Sequence, residues 1–279
     1  MIEPAVKATL VRPDQEVYYR VYRFDELPQR RLLLLHGGGV AGRITWGEII
    51  PHLTPWSEIL VPDLRGTGKT RYPDHREHGF EAEEVVADME ALLTHLGWTR
   101  FDLGGYSYGG LIAMLLKAAR PREVEKTYLF EPPLLGKMTD GELAASRELI
   151  QHAAKRLRNL ENVEEGLELF LDAVAPRRSR GSRNEEIVRG RLSHRPGGLA
   201  CAIECVSHAI SRIDRERLIA LQANVSSFVG ERSHPEVYRL CREIAAGRKD
   251  WVCHLIQGAD HALPFQKPEL IAEHMNRDA

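Results

Sequence analysis

The chain has 279 residues, 43% apolar and 28% charged, with a net charge of −2, which suits one α/β domain carrying an insertion and is too apolar for a disordered chain. Nearly cancelling charges supply no concentrated positive field, so neither a nucleic-acid partner nor a membrane surface is expected. No stretch approaches the ~20 apolar residues of a membrane span, and the N-terminal MIEPAVKATLVRPDQEV lacks the basic start and apolar run of a signal peptide, so a cytoplasmic protein is expected.

In chain order, VKATLV (6–11) and VYYRVYR (17–23) predict an antiparallel pair, RLLLLHG (31–37) a buried strand and TWGEIIPHL (45–53) a short helix. SEILVPDLRG (57–66) is the next strand, and the helix over 80–97 places Val85, Val86, Met89, Leu92, Leu93 and Leu96 on one face. RFDLGGYS (100–107) predicts a strand that turns sharply into the helix YGGLIAMLLKAARP, and VEKTYLFEPP (124–133) another strand. Alternation then stops. From 135 to 221 the chain is helical and polar-rich, and its arginine-rich PRRSRGSRNEE (176–186) is expected to be a solvated loop. Strand and helix resume at NVSSFVGE, HPEVYRLCREIAAG, DWVCHLIQG and PELIAEHMNR. The pattern predicts a mostly parallel sheet covered by helices on both faces, with 1–134 and 222–279 as the core and 135–221 as an inserted helical cap. The four cysteines, at 201, 205, 241 and 253, form no CxxC pair or zinc-type cluster, so reduced thiols are expected, with Cys201 and Cys205 packed one helical turn apart. No metal and no cofactor are predicted.

Chemistry concentrates at strand ends. Gly105-Tyr106-Ser107-Tyr108-Gly109 fits G-x-S-x-G between a strand and a helix, where the turn is so tight that small residues must flank the serine. His36-Gly37-Gly38-Gly39 suits a loop whose amides approach a developing oxyanion. His261, in GADHA after the last strand, falls on the same sheet edge as Ser107. The segment RGTGKT superficially matches a phosphate loop, but the full pattern demands glycine where Asp63 stands, and no helix follows Thr70.

With LLLLHGGG, PDLRGTGKT, GGYSYGG and GADHALPFQKPEL in this order, the chain resembles the α/β-hydrolase superfamily over its whole core. The resemblance implies an eight-stranded type of sheet, a Ser-His-acid triad, an oxyanion hole from the amides of Gly38 and Tyr108, a cap over the substrate, and no cofactor. It also implies an acid at the tip of FVGERS, where Ser233 stands instead. A serine accepts a hydrogen bond but cannot stabilise an imidazolium as a carboxylate does. Glu231, Asp260, Asp214 and Glu131 are the acids in contention. Glu131 is favoured because it ends the strand between the serine strand and the FVGER strand, and the family sometimes places the acid there.

The expected function is a carboxylic-ester hydrolase with Ser107 as nucleophile, His261 as base and Glu131 as acid, acting on a small-molecule substrate. Tyr106 and Trp46 are expected beside the serine as pocket walls. Thioester, lactone, amide and carbon-carbon hydrolysis share this triad, and a non-catalytic ligand receptor is the alternative from another class. Arg-Gly-Thr-Gly resembles the proline iminopeptidases, although HGGGV departs from their HGGPG. Serine at position 107 argues against the epoxide hydrolases and haloalkane dehalogenases of this fold, which use aspartate. A homodimer is compatible with the sequence, which does not fix the oligomeric state.

Overall fold

Runs of leucine, valine and phenylalanine without polar alternation form strands buried on both faces, and they supply the centre of the molecule here. The computed structural model describes residues 2–25, 29–133 and 140–279. In chain order the strands are β1 (Val6–Val11), β2 (Glu16–Arg23), β3 (Arg31–Leu35), β4 (Glu58–Pro62), β5 (Phe101–Tyr106), β6 (Val124–Phe130), β7 (Val225–Gly230) and β8 (Trp251–Ile256). They form one eight-stranded sheet in the order β1-β2-β4-β3-β5-β6-β7-β8. The strand β2 is antiparallel to both β1 and β4, and β3 to β8 run parallel. This is the mostly parallel α/β architecture that the alternation predicts. The edge strand β1 alternates half-buried and exposed residues, whereas Leu32 to Leu35 are fully buried.

The helices are α1 (Gly42–Trp46), α2 (Ala82–Leu96), α3 (Tyr108–Ala119), α4 (Asp140–Arg158), α5 (Val163–Val174), α6 (Arg183–Leu192), α7 (Pro196–Arg212), α8 (Arg215–Ala220), α9 (Pro235–Ala246), α10 (Leu263–Gln266) and α11 (Pro268–Asp278). The expected face of α2 is the one that packs, starting where Glu84 accepts from the Glu81 N–H at 2.8 Å and stopping at left-handed Gly97. One face of the sheet packs on α2, α3 and α8, and the other on α1, α10 and α11. Helices α4 to α8 are inserted between β6 and β7; the expected start of the cap, at 135, lies outside the described residues.

Two expectations are corrected. Cys241 on α9 and Cys253 on β8 are joined as a disulfide, with Cα atoms 6.1 Å apart, because α9 packs directly beside that strand. Cys201 and Cys205 are free and buried, and burial pushes the Cys205 thiol up to about 12. The arginine-rich loop is not simply solvated. Arg178 is buried and donates to Glu168, Asp172 and Glu185, each at 2.6 Å, tying α5 to α6.

The loop that resembles a phosphate binder wraps a carboxylate of its own. Asp63 accepts from the Gly42 N–H at 3.1 Å and the Lys69 N–H at 3.0 Å, and pairs with Arg20 at 2.9 Å. In the same loop, Arg65 lies against Asp88, each 1% exposed, with its Nε donating at 2.6 Å. Asp14 and Glu84 also accept from Arg65, and Arg12 donates to Asp88. Removing one partner of a buried pair strands the other. Asp88→Asn is therefore expected to cost about 3–5 kcal/mol, read as a lowered urea midpoint; an unchanged midpoint would refute this role.

Candidate active site

Parallel strands end on the same side, so the order β3-β5-β6-β7-β8 lines up five C-terminal loops in a row. They carry, in that spatial order, His36 to Gly39, Ser107, Glu131, the turn Gly230 to Ser233, and His261.

The serine sits on the tightest of these turns. Ser107 has φ 50° and ψ −120°, a conformation that costs a non-glycine residue energy and persists only where its surroundings enforce it. The enforcement is visible on both sides. The Ser107 N–H continues the sheet by donating to the Phe130 carbonyl at 2.9 Å, while its own carbonyl accepts from Gly110 N–H at 2.8 Å to start α3. A Cβ at Gly109 would stand 2.4 Å from the His36 carbonyl, and one at Gly105 would stand 2.4 Å from the Gly109 carbonyl. The glycines of G-x-S-x-G are thus required by backbone packing against β3 and α3.

His261 reaches back from the loop after β8. Its Nε2 lies 3.1 Å from Ser107 Oγ and its Nδ1 lies 2.7 Å from Glu131 Oε2. With a carboxylate at Nδ1, that nitrogen carries the proton and Nε2 accepts from the serine hydroxyl. Asp260 fixes the loop: its Oδ1 accepts from the Ala262 N–H at 2.9 Å and its N–H donates to Gln266 Oε1 at 2.8 Å. The other acids in contention are engaged elsewhere, Glu231 with the Gly258 N–H at 2.8 Å and Asp214 with the Arg217 N–H at 3.0 Å as the cap of α8.

Glu131 is itself held. It lies at the tip of β6 with φ 46°, its side chain 5% exposed, and its N–H donates to the Phe228 carbonyl at 3.2 Å. Oε1 accepts from the Gly230 N–H at 2.7 Å and from the Ser233 hydroxyl, leaving Oε2 to His261. Sequence reasoning singled out Ser233 as the place where an acid was wanting. That this serine donates to the acid supplied by the neighbouring strand is not legible in the sequence, because the contact depends on which carboxylate oxygen faces which strand.

The glycine loop after β3 is oriented by His36, which is fully buried. Nδ1–H donates to the Gly37 carbonyl at 2.6 Å and Nε2 accepts from the Leu64 N–H at 2.8 Å. The two ends of a trans peptide point in opposite directions. With the Gly37 carbonyl turned to His36, the Gly38 N–H is turned away from it. Tyr108 opens α3, where the first N–H groups have no partner within the helix.

Ser107, Gly38, Tyr108, Glu131 and His261 all border one cavity of about 350 Å³. The inserted helices contribute Phe170, Ala173 and Val174 from α5 and Ala202, Ile203 and Val206 from α7. No lysine or arginine among the described residues lines it. Trp46 and Tyr106 are absent from the lining, which corrects the expectation for both. Trp46 is buried under the sheet against Phe130, ring centroids 5.3 Å apart. Tyr106 precedes the elbow and points to the face opposite the helix α3, where it packs beside the His261 ring at 5.3 Å and beside Phe265. The walls from α5 and α7 were not legible beforehand, because a helical period reveals an apolar face but not what it covers.

A family model described as "Alpha/beta hydrolase family" matches residues 32–274. The chain is 29% identical over 100 residues to "Soluble epoxide hydrolase" of Corynebacterium sp. (strain C12), covering 36% of this chain and 34% of that protein. It is 34% identical over 112 residues to "Lipase LipV" of Mycobacterium tuberculosis (strain ATCC 25618 / H37Rv), covering 40% and 41%. These matches span only about a third to two fifths of each relative's length. A solved hydrolase from Pseudomonas aeruginosa PA01 superposes with a TM-score of 0.78 at 20% identity, covering 98% of each chain, a likeness of fold.

Burial holds the His36 imidazole below its ordinary value of 6.5, against the opposing pull of Asp63. The unfolded chain takes up a proton that the folded one refuses, so the contribution of His36 to stability is full above about pH 6.5 and is lost progressively as the pH falls below it. Moving from pH 7.5 to pH 5.5 is expected to lower the Tm of the wild type more than that of His36→Asn. Equal drops would exclude His36 as a source of acid sensitivity.

Proposed function

The chain belongs to the alpha/beta hydrolase family, and we propose that it is a serine hydrolase of neutral carboxylic esters, working through an acyl-enzyme on Ser107. One observation carries the reading: Ser107 Oγ, the His261 ring and the Glu131 carboxylate stand in a single hydrogen-bonded line, at 3.1 and 2.7 Å. Ser107 Oγ attacks the ester carbonyl as its proton passes to His261 Nε2, and Glu131 keeps the ring in the tautomer that can accept it. Charge developing on the carbonyl oxygen is met by the Gly38 and Tyr108 N–H groups. The protonated His261 then gives its proton to the departing alcohol. Water enters, loses a proton to the same nitrogen and attacks the acyl carbon, and Ser107 Oγ leaves with that proton from His261 as the acid is released.

The cavity supports the substrate class. A carboxylate or phosphate buried there would meet no lysine or arginine among the described lining residues, at a cost that a neutral acyl group escapes. Residues 1–134 and 222–279 form the catalytic core in this reading, and 135–221 the cap that closes the cavity. Epoxide opening, the reaction named for one relative, fits less well. A serine that opened an epoxide would form an ether, which a histidine and water do not cleave, whereas they do cleave a serine ester.

Short p-nitrophenyl esters test the proposal. Ser107→Ala is expected to lower kcat by about 10⁶-fold and Glu131→Gln by about 10⁴-fold, with Asp260→Asn comparatively mild. Wild-type turnover by Ser107→Ala would refute the serine mechanism. A silent Glu131→Gln beside a crippled Asp260→Asn would refute the acid assignment.

A further inference from the structure

The turn that follows β7 is locked in place before it does anything chemical. The Ser233 N–H donates to the Gly230 carbonyl at 3.0 Å, Arg232 N–H to Ala259 at 2.8 Å, and Glu231 N–H to Ile256 at 3.0 Å. A Cβ at Gly230 would meet the carbonyls of Ala259 and Asp260 at 2.7 Å, so the turn lies flat against the loop that carries His261. From the loop between α5 and α6, Arg177 Nη1 donates to the Ser233 carbonyl at 3.3 Å. Ser233 is 3% exposed, and its hydroxyl has one hydrogen to give, which goes to Glu131 Oε1.

Glutamate is a flexible choice for a residue that must orient an imidazole. It has three side-chain torsions, and a misplacement of about 1 Å in a catalytic array can cost about 10²-fold in rate. We propose that Ser233 is a positioning residue: by fixing Oε1 it leaves Oε2 as the one carboxylate oxygen that faces His261 Nδ1. This inference rests on the serine-hydrolase reading and adds to it a fourth residue that acts only through Glu131. The bland rival is that Ser233 merely completes a turn.

The two make different predictions for phosphorylation of Ser107 by diethyl p-nitrophenyl phosphate, a probe that needs the nucleophile and its base but no particular acyl group. Ser233→Ala is expected to lower the limiting rate of phosphorylation about ten- to hundredfold, the worth of a hydrogen bond to a charged group, with the half-saturating concentration unchanged. Ser233→Cys fills the same space with a poor donor and should be slowed likewise, which keeps the test open if the alanine variant folds badly. Ser233→Thr keeps the hydroxyl and should stay within about threefold of wild type, since only the lost bond is costly.

The decisive comparison is in the Glu131→Ala background. There Ser233 has nothing to hold, so Glu131→Ala/Ser233→Ala should be no slower than Glu131→Ala alone. Full-speed phosphorylation in Ser233→Cys, or a double variant slowed by the whole extra factor, would overturn the positioning role while leaving Ser107 as nucleophile. Failure of the wild type to take the label at Ser107 would overturn the serine-hydrolase reading and this inference with it.

Discussion

A carboxylate removed from water must be met by donors, and Glu131 is met by donors from two separate segments beyond its own strand: the turn after β7 and the loop after β8. That requirement organises the sheet edge that carries Ser107, Glu131 and His261. The turn can supply the Gly230 N–H and the Ser233 hydroxyl only because β7 lies beside β6, and the loop can supply His261 only because it folds back over two strand tips. The left-handed backbone of Glu131 is tolerated because its own N–H and both its oxygens are engaged. A buried carboxylate with fewer partners would be costly; here the Gly230 N–H, the Ser233 hydroxyl and the His261 ring all meet it.

The other half of the edge depends on close approach of backbone to backbone. Ser107 occupies a strained conformation because the glycines at 105 and 109 let α3 start directly against β3 and β5. The same closeness brings the loop of His36 beside the elbow. His36 contributes no charge; buried and neutral, it spends both ring nitrogens on orienting main chain, one on Gly37 and one on Leu64. Amide orientation near Ser107 is therefore set by a side chain that does not itself border the cavity.

Most of this was readable from the strand ends, because glycine spacing and apolar runs reflect local backbone needs. Ser107, His261 and the glycine loop all announce themselves that way. Glu131 could be favoured over Asp260, Glu231 and Asp214 by strand order, yet its pairing with Ser233 could not, since that contact depends on which oxygen faces which strand. Side-chain direction is what the pattern of residues leaves open. Tyr106 adjoins Ser107 in sequence but packs beside His261 and Phe265, and Trp46 packs against Phe130. Arg178 looked like one solvated charge among several, and only the meeting of α5 with α6 makes it a hub for three carboxylates. The Cys241–Cys253 pair likewise follows from α9 lying on β8, which no cysteine spacing reveals.

The inserted helices are not equivalent in how they bound the cavity. Cys201, Ala202, Cys205 and Ala209 of α7 pack into the main core, while Leu199, Ala200 and Ile203 pack with α4 and α5. Its first turn is pinned too, since a Cβ at Gly198 would stand 2.2 Å from the Gly66 carbonyl of the core loop. A helix packed on both sides cannot shift without opening two interfaces. The face of α5 that carries Phe170, Ala173 and Val174 is only half-buried, and of the three Phe170 alone packs against the smaller cluster. If the proposed ester hydrolysis holds, differences in the size of acyl group accepted should therefore arise through α5, with α7 as the more firmly packed wall of the cavity.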